Sequence, residues 1–536
     1  MNKSIKNIFI GLIEYSIVFF ILLFICFKIN EGIVIKGLFM DDLLDWSWYR
    51  GSSWYDFAIK FYSKDRYRPV FETTQYILYG LVGTDPMKFT FYNKIYNAII
   101  SFFIYHFVKK LDAGRIISLT TAAFYLIAHY AYYQIGQGIA SLESDSLFLT
   151  LLVIYFCLKL TGAIKDKDIN GEPKDRKVSA NIINLLCIFV FYFLVVFAHE
   201  RFIGLLLPIF VAILYMKRPD GDIYSEENAE GNHRFLKLKI ISLLSFIVEL
   251  GLIVYLRHIA IGRILPAGTG GTYVEETFKI DEFLSYALSQ VAIIFGINIG
   301  PEHLVGIDFD SITNMKIKRF TYLSIALVIK VIFSYIIKRI IFLNKSSKKK
   351  AASCLSADLI FLTAIMMCIA STSVTIRVEM RFVYSSFTLA LIYVVYMCSY
   401  LISGIKNVVF RFSTILTFIL IFAFRFPIEV AYRSHFDKIH CYVDTKRMNS
   451  LYDQTIGTYG LDEILHKKKV YIINQYFGMT KFYSEYYYKI YDINDVGTTI
   501  NLVNSYEEIP AEDINEDTII LVEDWKNNVY EVYEKA

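Results

Sequence analysis

The chain of 536 residues is 55% hydrophobic and 17% aromatic with a net charge of only +4, and its apolar residues are concentrated in runs. Runs of about 18 or more apolar residues cross a bilayer as helices, because each residue rises roughly 1.5 Å and the hydrocarbon core is about 30 Å thick. This excludes a soluble globular enzyme, and nothing in the charge balance points to nucleic acid as a partner. Six of the seven cysteines lie in or beside apolar runs, which excludes a disulfide framework or a zinc spacing.

In chain order, spans are expected at roughly 8–28, 92–108, 116–133, 145–161, 180–198, 201–216, 239–257, 320–341, 355–374, 384–402 and 408–426. The first is too long for the apolar core of a signal peptide, about 7–15 residues, and no small-x-small cleavage site follows it. Lys and Arg orient the set. They crowd the connections at Lys3/Lys6, Lys109/Lys110/Arg115, 159–177, 217–239, 338–350 and Lys406/Arg411, whereas 134–144 has none. The basic side is read as cytoplasmic, placing the N-terminus inside and the C-terminal segment outside the cytoplasmic membrane. The stretch 286–299 is apolar but short, and reads as a re-entrant or interfacial helix. The predicted architecture is a multi-pass α-helical domain over 1–426, about 11 transmembrane helices with outer loops 29–91 and 258–319. A small extracytoplasmic α/β domain follows over 427–536, whose runs 469–474 and 518–523 read as strands.

The first outer loop opens on two adjacent carboxylates, Asp41 and Asp42, then Asp45, and continues with Arg66 and the Arg68–Pro69 pair. A carboxylate beside the membrane surface can take a proton from a hydroxyl or help hold a cation. Trp46, Trp48 and Trp54 suit an interfacial loop. The next outer connection presents Glu143-Ser-Asp145 at a helix start, where acidic residues also favour the helix dipole. Asp42, Glu143 and Asp145 are the candidates for a divalent cation, Mg or Mn. His199-Glu200-Arg201 forms a tight turn between two spans, either an ion network between Glu200 and Arg201 or the wall of a cavity. Arg377 and Arg381 lie at headgroup depth, where guanidinium forks suit a lipid phosphate or diphosphate. Glu249 and Lys330 fall mid-membrane and are expected to pair, and an aromatic belt accounts for Tyr130, Tyr132 and Tyr133 beside His129.

Taken together, these residues resemble the GT-C superfamily of integral-membrane glycosyltransferases, which includes the protein O-mannosyltransferases and the lipid A aminoarabinose transferases. The matching features are one span before an acidic pair at Asp41–Asp42, the Arg66-Tyr-Arg-Pro69 element, the acidic connection Glu143–Asp145, and the pair His199–Glu200. A late arginine motif and an outer C-terminal domain complete them. His199 stands where relatives tend to have lysine. The resemblance implies transfer of a sugar from a polyprenyl-phosphate-linked donor to an envelope glycan, lipid or protein acceptor at the outer face. It implies that Asp41 or Asp42 is the base, the first acid being favoured, with Arg66, Arg68, Glu143, Asp145, His199, Glu200, Arg377 and Arg381 binding substrate. Metal use stays open, since the superfamily contains both kinds of member. The alternatives are a transporter or flippase of lipid-linked saccharides, or a polymerase. The former is expected to show internal repeats and more charge deep in the membrane.

Overall fold

The N-terminal apolar run folds as one uninterrupted helix, α1 (Lys3–Ile29), whose large side chains such as Phe20 and Phe24 point outward as a lipid-facing surface requires. The computed structural model describes residues 3–39, 41–60, 66–164, 177–219, 229–263, 274–298, 308–345, 348–374, 380–403, 407–435, 440–473, 479–491 and 498–534. After α1 the chain turns into α2 (Asp41–Gly51), with both aspartates in the first turn, where the positive helix end favours them. Pro69, pre-set for a first helical position, opens α3 (Pro69–Val82), followed by α4 (Met87–Lys110) and α5 (Arg115–Ile127). The short α6 (Tyr133–Gly136) leads to α7 (Ser141–Thr161) and α8 (Val178–Ala198). A 3-10 turn, Glu200–Leu205, precedes α9 (Leu206–Leu214), and α10 (Ala229–Ile261) follows. Then come α11 (Val274–Thr277), α12 (Ile280–Ile294), α13 (Phe309–Ile312), α14 (Met315–Lys345), α15 (Lys348–Ser373), α16 (Met380–Ile402) and α17 (Val408–Ser434).

Among the described residues eight helices are long and apolar enough to cross a membrane: α1, α7, α8, α10, α14, α15, α16 and α17. The other expected spans take different forms. The stretch 92–108 lies within α4, whose buried Asn93, Lys94, Asn97 and Ser101 lower its apolar character. The stretch 116–133 leaves the α-helix at Ile127 and turns through His129–Tyr132, and 201–216 divides into the 3-10 turn and α9. At 15 residues, α12 is short for a crossing; it packs on α15 and α16. The bundle core is built from Leu22, Ile104, Phe107, Leu151, Ile154, Val195, Ile209, Ile360, Leu389 and Ile392, all fully buried.

Two expectations are corrected. Glu249 and Lys330 do not pair, because α10 packs on α8 and α9 whereas α14 packs on α16 and α17. Both Glu249 oxygens are buried without a hydrogen-bond partner among the described residues, and Lys330 reaches Thr417 Oγ1 at 3.5 Å. Nor is Tyr130 part of an interfacial belt. It is 1% exposed, its ring packed on His129 and Phe387 and its hydroxyl donating to the Ile293 carbonyl.

Beyond α17 the chain forms α18 (His440–Gln454), α19 (Ile456–Tyr459), α20 (Leu461–His466), α21 (Lys481–Tyr486) and a sheet. Strands β1 (Lys469–Ile473), β2 (Ile500–Val503), β3 (Thr518–Asp524) and β4 (Val529–Val532) lie in the order β2-β1-β3-β4. The β1 strand is parallel to β2 and β3, and β4 is antiparallel to β3. Four successive residues of β1 are buried, as a central strand covered on both faces demands. This domain grips the segment that leads into α2. The Lys36 amide donates to Asn449 Oδ1 at 2.8 Å, Asn449 Nδ2 donates to the Val34 carbonyl at 2.9 Å, and Tyr491 donates to the Lys36 carbonyl at 3.0 Å. At Gly37 the approach is so close that a Cβ would lie 2.5 Å from the Tyr487 hydroxyl oxygen.

Candidate active site

At the end of the bundle that carries the sheet domain, charged residues from five separate stretches of sequence line one cavity of about 230 Å³. Asp41 enters from the first turn of α2, Arg66 and Arg68 from the approach to α3, and Glu143 from the start of α7. His199, Glu200 and Arg201 come from the turn after α8, and Arg381 from the start of α16. Ile139, Ser371, Thr372 and Phe382 complete the parts of the wall that bear on the chemistry.

Within this wall the charges are sorted into pairs. Arg68 holds Glu200 with two parallel bonds, Nε to Oε2 at 2.7 Å and Nη2 to Oε1 at 2.8 Å, the fork geometry that guanidinium and carboxylate share. The same Nη2 lies 3.5 Å from His199 Nε2. Arg201 pairs with Glu143, not with its neighbour Glu200, and its guanidinium lies over the rings of Phe202 and Phe382 at 5.0 and 5.1 Å. Burial acts to raise the Glu200 carboxyl, but the charge and hydrogen bonds of Arg68 outweigh it and hold the group well below its usual range. His199 is pushed well below the ordinary imidazole value, by burial first and then by Arg68 and Arg201, so it is neutral. Crowding by Arg68, then burial, brings Arg66 down to about 10, with Arg381 adding to the effect. The cavity is therefore a region of positive potential, with its two ion pairs fixing the walls.

The two aspartates of the adjacent pair have different surroundings. Asp41 is exposed, lines the cavity, and has no hydrogen-bond or ion-pair partner among the described residues. Asp42 is 7% exposed and turns the other way, accepting the Gly138 amide on Oδ2 at 2.9 Å and the Ile139 amide on Oδ1 at 2.5 Å. Burial lifts its carboxyl to about 7 against the pull of those two amides, with the charge of Asp41 adding to the rise.

Asp145 is buried one turn along α7 and accepts from the Tyr96 hydroxyl at 2.7 Å, away from the cavity lining. Arg377 lies outside the described residues. The candidates for a cation, Asp42, Glu143 and Asp145, thus address a backbone turn, a guanidinium and a tyrosine respectively. No group of three or more His, Cys, Asp or Glu suited to a metal occurs among the described residues. As placed, these side chains do not fit a divalent cation, which needs several oxygens converging on one point.

Arg257, which sequence reasoning passed over, is 3% exposed in the penultimate turn of α10, with Nε and Nη2 lacking a hydrogen-bond partner among the described residues. Its charge acts on Glu200. A guanidinium at the end of an otherwise apolar span was the available signal. A second feature lies deeper. A cleft of about 520 Å³, lined almost wholly by apolar side chains, runs along α14 from Ser324 to Leu343, with α12, α15, α16 and α17 around it. Twenty helical residues cover about 30 Å, close to the thickness of the hydrocarbon layer. Ile369 lines the cleft, and Ser371 and Thr372, less than a turn further along α15, line the cavity.

No protein-family model matches this chain, and no curated protein does. Among solved structures it is similar to the Archaeoglobus fulgidus oligosaccharyltransferase in the apo form, at 11% identity and a TM-score of 0.45, covering 92% of this chain and 65% of that one. It is similar also to AglB, the archaeal oligosaccharyltransferase of the same organism, in complex with an inhibitory peptide and a dolichol-phosphate, at 12% identity and a TM-score of 0.45, over 91% and 64% of the two chains. The chain thus spans just under two thirds of both of these structures' chains. ArnT from Cupriavidus metallidurans bound to undecaprenyl phosphate matches at 10% identity and a TM-score of 0.43, over 96% and 93%. At these scores the likeness is one of overall architecture and assigns no activity. These neighbours are GT-C membrane glycosyltransferases, the superfamily that the sequence motifs resemble.

Proposed function

We propose that the protein is a membrane glycosyltransferase that moves a sugar from a polyprenyl-phosphate-linked donor to a hydroxyl of an envelope glycan, lipid or protein acceptor. The reaction takes place at the membrane face opposite the basic loops, the extracytoplasmic one. The observation that carries this reading is one accessible carboxylate, Asp41, sharing a cavity with Arg66, Arg68, Arg201 and Arg381, with Arg257 behind them. Sugar transfer needs both signs of charge. A carboxylate accepts the proton of the attacking hydroxyl, and cations stabilise the phosphate oxygen that departs with the bonding pair. In a single displacement the acceptor oxygen bonds to the anomeric carbon as the bond from that carbon to the phosphate oxygen breaks. Asp41 takes the hydroxyl proton, and the guanidinium groups meet the negative charge left on the lipid phosphate. The apolar cleft below suits the hydrocarbon chain of such a lipid.

In this reading the reaction runs on guanidinium groups rather than a divalent cation, and transfer is expected to survive exhaustive chelation. A flippase could use the same cleft and the same cations but has no need of a base at Asp41. The deciding experiment is transfer from a purified sugar-phosphate polyprenol by the Asp41→Asn protein in nanodiscs. The expected result is loss of transfer with donor binding intact. Full transfer by this variant would sink the proposal.

A further inference from the structure

Asp42 is next in sequence to the proposed base, and the simplest reading of the adjacent pair makes the two interchangeable. The geometry points to a different division: we propose that Asp42 is a positioning residue that fixes the cavity wall at 138–143 and carries no proton in the transfer. Its two oxygens are spent on successive backbone amides, Gly138 and Ile139. A carboxylate can accept two such bonds side by side; a carboxamide or a protonated carboxyl offers one acceptor and sets a donor against the second amide.

The turn that Asp42 holds is clamped from two further directions. Gln75 Nε2 donates to the Gly138 carbonyl at 3.2 Å, and Asn93 Nδ2 donates to the Gln137 carbonyl at 2.7 Å. Side chains from α2, α3 and α4 therefore converge on a non-helical stretch of a few residues. That stretch has a direct bearing on the cavity, because Ile139 belongs to it, Leu142 and Glu143 lie just beyond it, and all three line the wall, with Glu143 pairing to Arg201. The fit at the turn is tight. A Cβ on Gly138 would sit 3.0 Å from Asp42 Oδ1 and 3.0 Å from Phe89 Cε1. Since Asp41 precedes Asp42 on the first turn of α2, the clamp also sets the distance between the proposed base and the Glu143–Arg201 pair. The inference rests on the proposed function only for the word transfer; the clamp itself is a statement about backbone order.

The test uses full-length protein in nanodiscs and two readouts. In hydrogen exchange, the Gly138 and Ile139 amides are expected to be protected in the wild type and to exchange at least tenfold faster in Asp42→Asn. Gly138→Ala is expected to give the same local loss, although it leaves every carboxylate in place. In kinetics, both variants should raise KM for donor or acceptor and retain part of kcat, while Asp41→Asn keeps the wild-type protection and loses kcat. Unchanged protection of the two amides in Asp42→Asn overturns the proposal whatever the enzyme does. So does a kcat loss in Asp42→Asn equal to that of Asp41→Asn while Gly138→Ala turns over normally. If Asp41→Asn retains full transfer, the functional reading fails, and the exchange result still decides the clamp. Should Asp42→Asn fail to fold, Gly138→Ala alone gives the same two readings.

Discussion

Two clusters of buried charge sit at the same end of the bundle, and they differ in what surrounds them. Around Glu429, on α17, both carboxylate oxygens are bonded, while His129 Nε2 and Arg425 Nη2 have no hydrogen-bond partner among the described residues. Glu429 Oε2 accepts from the His129 amide at 2.8 Å and from Nδ1 at 2.6 Å, and its Oε1 accepts from Arg425 Nε at 2.7 Å. The His129 ring lies between Tyr130 and Tyr432, with centroids 4.0 and 4.2 Å away. Gly296, at φ +92°, leaves room for the Arg425 guanidinium, where a Cβ would be 2.5 Å from Nη1. Around the cavity, Arg68–Glu200 and Arg201–Glu143 are paired just as closely, yet they wall a void into which Asp41, Arg66 and Arg381 also project. A buried ion pair alone is weak evidence of function, since it serves equally to fix a fold. Arg425 also borders a void, the apolar cleft, so what separates the two clusters is the charge beyond the pairs: Asp41, Arg66 and Arg381 share the cavity with its two ion pairs.

The largest effects should fall on opposite properties of the two clusters. Asp41→Asn is expected to lower kcat by roughly 10²–10⁴-fold, the usual worth of a positioned general base, with the thermal midpoint unchanged. Glu429→Gln should instead cost about 3–5 kcal/mol of stability, because it strands the Arg425 charge in a buried site. Measured per folded molecule, its turnover should match the wild type. Thermal unfolding and transfer assays on the same two preparations check both statements, and a loss of stability in the first variant with a loss of turnover in the second would invert the comparison.

The sequence made one part of this contrast legible and concealed another. Apolar runs read directly as α1, α7, α8, α10 and α14 to α17, because a lipid-facing helix has no other way to satisfy its backbone. The acidic and basic loop motifs were visible for a similar reason, as charges beside apolar runs are costly and few. Pairing was not visible. Glu200 sits next to Arg201 in sequence yet bonds Arg68, 132 residues away, and Arg201 reaches Glu143. Side-chain direction in a turn depends on packing that no periodicity records. The same limit made Asp41 and Asp42 look alike, although one faces a cavity and the other a backbone turn. Glu429 and Arg425, at the end of a span, drew no expectation from the sequence, yet Glu429 joins Arg425 and His129 in one buried network.

Arg257 sharpens the comparison at an intermediate scale. Arg257 Nε and Nη2 have no hydrogen-bond partner among the described residues, and its charge acts on Glu200 in the cavity wall; burying unsatisfied donors costs about 1–3 kcal/mol, which an anion bound nearby would offset. Arg257→Ala should therefore weaken binding of polyprenyl phosphate by about 10- to 100-fold, in line with a charged hydrogen bond of about 1.5–3 kcal/mol. Arg257→Lys should recover part of that loss, because lysine keeps the charge and not the fork. Equilibrium binding of the lipid in detergent is the direct check. Wild-type affinity in the alanine variant would move Arg257 into the same class as Arg425.

The smallest expected effect is a pH dependence in which activity and stability move in opposite directions. Asp42, raised to about 7 in the folded protein, lies above its ordinary unfolded value of about 3.9. The folded state therefore binds this proton more tightly than the unfolded state does. The stabilisation from that proton is fully present below about pH 4 and is lost as pH rises through about 7. The clamp, however, needs the ionised carboxylate to accept both amides. Transfer should rise severalfold across the same window in which the thermal midpoint declines. Facing Asp42, the charged group is Asp41; the other neighbours are the Gly138 and Ile139 amides and the Tyr79 hydroxyl, which donates to the Asp42 carbonyl at 3.2 Å. Asp42→Asn cannot titrate, so the difference between wild type and variant isolates the effect, and both the rise in transfer and the fall in midpoint near pH 7 should vanish together. A variant that kept the rise would assign it to another group in the cavity, and the division of labour between the two aspartates would have to be redrawn.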